Sequence, residues 1–182
     1  MKGVIFSELV RWVEEAFSPA VADAMIVGAA VASDGVYTNV GSYPHEEALA
    51  LIGALSELTQ KPVPDLAHSY GYWLSARFVA LYPEMFDGYT DAISFLRDVD
   101  ANHHREVKKL YPDARTPSVV AVVDGQELVV SYASHRPFAD VAHGLIRGYI
   151  HHFDAALEVV RDETAQGPHA ARFVLRPLPA DG

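Results

Sequence analysis

The sequence predicts an α+β fold: a helical first part, then a smaller part in which four antiparallel strands flank a helix. Three observations carry this expectation. Up to about residue 111, apolar residues recur three and four apart, the period of a helix with one buried face. Over 118–134, SVVAVVDGQELVVSYAS, the pattern becomes two β-branched runs about Asp124-Gly125, a strong hairpin signal. The segment LEVVRDETAQGPHAARFVLRPL reads as a second hairpin with its turn near Gly167-Pro168. The 182 residues fit a single domain. Within it we expect a helical subdomain over about 1–65 and an α/β subdomain over about 66–182.

The elements follow in order. Val4, Leu9, Val10 and Val13 suit one face of a first helix in MKGVIFSELVRWVEEAF. HEEALALIGALSELTQ is a second clear helix, entered after Pro44 and ended before Pro62. VPDLAHSYGYWLSARFVALYP supplies further helix up to Pro83. TDAISFLRDVDANHHREVKKLY reads as one long helix, capped by Thr90 and terminated by Pro112. After the first hairpin, PFADVAHGLIRGYIHHFDAAL returns to helical spacing, and PLPADG is a loose tail.

Composition narrows the function. The formal charge is −10, from 14 basic and 24 acidic residues, which disfavours nucleic acid and anionic membranes as partners. Half the residues are hydrophobic, enough for a sizeable core without staples. With no cysteine, thiolate zinc sites, iron–sulfur clusters and cysteine nucleophiles are excluded. The acidic residues inside the first apolar stretch speak against a signal peptide, and no uncharged run of about 18 apolar residues is present. A cytoplasmic protein is expected.

Two groups of residues could carry chemistry. His103 and His104 stand side by side, so on a helix they point about 100° apart. Ile93, Leu96, Val99, Val107, Leu110 and Tyr111 define an apolar stripe with His103 near its centre and His104 toward an edge. Periodicity therefore makes His103 the better buried of the two and assigns no ligand. The second group is Tyr132, Ser134 and Arg136, spaced by two at the end of a strand and so expected on one face. Two hydroxyls and a guanidinium fork suit carboxylate or phosphate oxygens; an exposed polar strand end would look the same.

In combination these segments resemble the heme–nitric oxide/oxygen binding (H-NOX) family, the sensor domain also found in soluble guanylate cyclase. The opening MKGVIF, the segment H-x-E-V-x-K-L-Y-P-x-A-x-x-P from His104 to Pro117, and Tyr132-x-Ser134-x-Arg136 carry the resemblance, in the family's order and over essentially the whole chain. The resemblance implies an H-NOX fold with heme b, the iron complex of protoporphyrin IX, held between its two parts. It implies His104 as the proximal iron ligand, Pro117 as the proline pressing on the porphyrin, and Tyr132, Ser134 and Arg136 as the propionate-binding triad. His103 falls where relatives usually carry an apolar residue.

Oxygen-binding members carry a distal tyrosine nine residues after the triad's tyrosine; that position is Val141 here. Their supporting polar residues correspond to Leu9 and Leu74, and Ile5 and Leu145 complete an apolar distal wall. The implied function is a sensor that binds nitric oxide at ferrous heme, and carbon monoxide, without a stable oxygen complex. It would signal to a separate partner, such as a histidine kinase or diguanylate cyclase, since the resemblance occupies nearly all 182 residues. No enzymatic activity is expected: Ser134 and His135 alternate faces, which suits a Ser–His relay poorly. The alternatives are a divalent-metal protein using His103-His104 and His151-His152, or a heme-free interaction protein of the same fold.

Overall fold

A computed structural model describes residues 1–162 and 167–179, with Leu110 described in its backbone alone; residues 163–166, ahead of the turn expected near Gly167-Pro168, and the end of the tail lie outside it. The chain divides into two compact units, Met1–Tyr70 and Gly71–Gly182. The first holds α1 (Gly3–Ala16), α2 (Pro19–Ala29), α3 (His45–Thr59) and the start of α4 (Val63–Leu81). Phe6, Leu9, Trp12 and Val13 form the buried face of α1, and Leu51, Ile52 and Leu55 that of α3. The apolar period does not single out α2, but its start is marked: the Ser18 side chain accepts a hydrogen bond from Val21 N, and Pro19 opens the helix.

The second unit continues with α5 (Ala92–Asp98), α6 (His104–Leu110), β1 (Ser118–Asp124), β2 (Glu127–Ala133), α7 (Ala139–His152), β3 (Leu157–Arg161) and β4 (Ala170–Pro177). All strand pairs are antiparallel and the sheet order is β1-β2-β4-β3. Gly125, at φ +62°, takes the left-handed conformation the first hairpin turn requires. Strand alternation sends Leu128, Val130 and Tyr132 of β2, with Ala171, Phe173 and Leu175 of β4, to one face of the sheet. There they join Phe95, Leu96, Ile146, Tyr149 and Ile150 in the core of this unit.

Two expectations need correction. The helix cap is Asp91, not Thr90: its carboxylate accepts from Ser94 N at 2.8 Å, so α5 starts at Ala92. The long helix is also not continuous. Between α5 and α6 lies a π-helical turn, Val99–His103. Such a turn holds one more residue than an α-turn and is frequent at functional sites. No helix among the described residues is long and apolar enough to cross a membrane.

Candidate functional site

The π-turn separates the two histidines. His103 closes it and packs inward, its ring 4.8 Å from Phe95 and 5.4 Å from Tyr89, with 8% of its surface exposed. Its Nε2 is buried without a hydrogen-bond partner. His104 opens α6 and places Nδ1 3.0 Å from Asp100 Oδ1. Burial lowers the pKa of each. For His103 the Asp98 charge works in the opposite direction; for His104, Asp100 and the Pro117 backbone do. Both imidazoles are therefore neutral near pH 7, the form that binds a metal.

The hairpin register gathers the rest. Pro117 immediately precedes β1, whose first residues pair as Ser118↔Ala133 and Val119↔Tyr132. Pro117 thus stands at the same end of the ladder as the triad. Strand alternation does not explain the triad, because β2 ends at Ala133 and Ser134 and Arg136 lie beyond it. The three are brought together by local bonds instead. Ser134 Oγ accepts from Arg136 N at 3.1 Å, and Ser134 N donates to His169 O at 2.8 Å. Burial raises the pKa of Tyr132, opposed by its hydrogen bond with Ser134 and by the Arg136 charge. Arg136 also donates from Nη1 to Arg115 O at 2.6 Å, fastening the triad to the loop that carries Pro117. In that loop Thr116 Oγ1 is buried with no hydrogen-bond partner.

Two helices of this unit approach with their backbones almost in contact. A Cβ on Gly71 would lie 2.1 Å from Val141 O, and one on Gly148 1.8 Å from Ser75 Oγ. Glycine at both positions lets α4 and α7 cross this closely. The crossing sets Leu74, fully buried, beside the segment bearing Val141 and Leu145. The neighbouring polar groups turn elsewhere. The Tyr72 ring is 6.0 Å from that of His151, Arg77 lies over Trp73, and His143 stacks on Phe173 at 5.2 Å. Ile5 and Leu9 belong to the first unit; Leu9 is buried, and Ile5 O accepts from Tyr70 Oη at 2.6 Å.

The donors fit heme. A neutral imidazole with one nitrogen held by a carboxylate leaves the other lone pair for iron. The Tyr132–Ser134–Arg136 group supplies donors for two carboxylates, and Thr116 adds an unused buried hydroxyl beside Pro117. A divalent-metal centre finds less support: among the described residues no group of three or more His, Cys, Asp or Glu is placed to hold an ion. Residue spacing missed Asp100, although four residues before His104 is the distance at which helical side chains meet.

The haem–NO-binding family profile matches residues 2–161. The chain is similar to the Fe(II) unliganded H-NOX protein from K. algicida, with 29% identity, 100% of this chain and 99% of that one covered, and a TM-score of 0.90. It is also similar to the IWP-051-bound H-NOX from Shewanella woodyi in the Fe(II)CO state, with 30% identity, 100% and 97% covered, and a TM-score of 0.83. The S. oneidensis H-NOX in the Fe(II)NO state, 21% identical over 97% and 98% of the chains with a TM-score of 0.85, shares the fold. No curated protein matches. Fold and profile together make this chain a member of the H-NOX family of heme-based gas-sensor domains.

Proposed function

We propose that this protein binds heme b through His104 and senses nitric oxide in the ferrous state, carbon monoxide being a second ligand. The observation that supports the reading most is His104 itself: a neutral imidazole, Nδ1 bonded to Asp100, at the start of the helix whose exit loop carries Pro117. When bound, heme supplies the iron that coordinates the gas. His104 would hold that iron through its imidazole nitrogen. Tyr132, Ser134 and Arg136 hold the propionates, and Pro117 offers an apolar contact to the porphyrin face. Leu74, Val141 and Leu145 carry no side-chain donor, and neither do Ile5 and Leu9 of the first unit. Oxygen, which needs such a donor, is not retained; nitric oxide does not need one.

His104 stands where a π-turn meets a seven-residue helix, so a change in its hold alters α6 and the loop through Pro117. A separate signalling protein, a histidine kinase or a diguanylate cyclase, would read that change. The test is the absorption spectrum of the ferrous protein with and without nitric oxide, for wild type, His104→Ala and His103→Ala. The reading expects a Soret band that shifts with nitric oxide, abolished or converted by His104→Ala and kept by His103→Ala. A histidine-ligated spectrum that survives His104→Ala refutes it.

A further inference from the structure

Two carboxylates at the π-turn have different partners: Asp98 ends α5 just before the turn, and Asp100 lies within it. Asp98 Oδ2 accepts from Tyr89 Oη and from Asn102 Nδ2, both at 2.9 Å, so it ties the end of α5 to the preceding loop and to the turn. Asp100, two residues on, reaches His104 Nδ1 at 3.0 Å. The His104 side chain is 17% exposed and that of Asp100 36%, so the imidazole end of the bond is largely shielded from water and the carboxylate end is at the surface. A carboxylate only accepts, so Nδ1 must carry the proton and Nε2 the lone pair. The bond fixes the tautomer and the ring plane together.

We propose that Asp100 is a positioning residue for His104: its carboxylate selects the Nε2-ligating tautomer, orients the ring, and makes the imidazole a stronger donor to iron. The inference rests on the reading of His104 as the iron ligand. A carboxylate on the far nitrogen of a ligating histidine raises ligand basicity, and losing such a partner typically costs about 10–100-fold in metal affinity or activity. Asp100 thereby sets how firmly His104 resists release, which is the property a gas sensor of this kind must tune.

The experiment compares heme-loaded wild type with Asp100→Asn, Asp100→Ala and Asp98→Asn. The readout is the iron–histidine stretching band of the ferrous, gas-free protein by resonance Raman, with heme transfer to an excess of apomyoglobin as a second measurement. Both Asp100 variants should show the band at lower wavenumber and lose heme about 10–100-fold faster, while Asp98→Asn keeps the wild-type band. Loss of heme by an Asp100→Asn variant with wild-type far-ultraviolet dichroism is the extreme of the same effect. An unshifted band in heme-replete Asp100→Asn overturns the inference. So does an equal shift in Asp98→Asn, which would mean general loosening of the turn, or an unfolded Asp100→Asn, which would make Asp100 a residue of the fold. His104→Ala separates the two readings: if it keeps histidine ligation, the ligand assignment fails; if it loses ligation while Asp100→Asn is silent, only the role of Asp100 fails.

Discussion

Replacing Gly71 by alanine tests whether the α4–α7 crossing is as close as described. The new Cβ would sit 2.1 Å from Val141 O and 2.9 Å from its carbonyl carbon. These are backbone atoms of another helix and have no rotamer to adopt, so the helices must part by about 1 Å before the contact becomes ordinary. Overpacking of a tight site costs about 1–3 kcal/mol, and this contact belongs at the upper end. Alanine's better helix propensity returns about 1 kcal/mol. The net loss is about 2 kcal/mol, a fall in Tm of about 4–8 °C for a chain of this size. Gly53, inside α3, is the matched control: a Cβ there meets nothing within 4 Å, so Gly53→Ala should gain about 0.5–1 kcal/mol from propensity alone. Thermal melts by far-ultraviolet circular dichroism, at equal heme loading, decide the matter. If Gly71→Ala melts within about 1 °C of wild type, or rises with Gly53→Ala, the helices do not cross this closely. Gly148→Ala should fall similarly, and Ser75→Gly in the same chain should recover part of the loss, because the clash is with the Ser75 side chain.

Three other outcomes follow from the same residues. Val141→Tyr places a hydroxyl donor at the corresponding distal position, and the ferrous protein in air should then hold a lasting oxygen spectrum that wild type lacks. Pro117→Ala should flatten the porphyrin, read from out-of-plane resonance Raman bands; unchanged bands would count against a pressing role for Pro117. Heme-free stability should fall on acidification. Burial holds His103 and His104 below the ordinary value of 6.5, so the folded state resists protons that the unfolded chain accepts. Their contribution is complete above about pH 6.5 and is lost as pH falls through the folded values. His103→Leu should therefore flatten the decline in urea midpoint between about pH 7 and pH 5.

What could be read from residues alone depended on how local its cause was. The first hairpin was legible because a period of two and a single left-handed residue, Gly125, are written within 17 residues. The second was legible in its strands, β3 and β4, for the same reason. The burial of His103 followed correctly from the apolar stripe. The π-turn could not be read: every residue from Ala92 to Leu110 tolerates an α-helix, and the turn shows only in the packed structure, where it ends at His103 against Phe95. The triad was expected on one strand face, whereas Ser134 and Arg136 are placed by their own hydrogen bonds after the strand has ended. Arg115 entered through its carbonyl, which every residue possesses, and so left no trace in the sequence.

The winding between α5 and α6 has a further meaning for the paired histidines. Were the five residues of the turn tightened to an α-helix with α5 held still, α6 would advance by one position, about 100° and 1.5 Å. His104 would swing away and His103 would arrive in its place. The choice of donor would then be a matter of helical phase and not of residue chemistry, with two otherwise equivalent imidazoles distinguished by one extra residue in one turn.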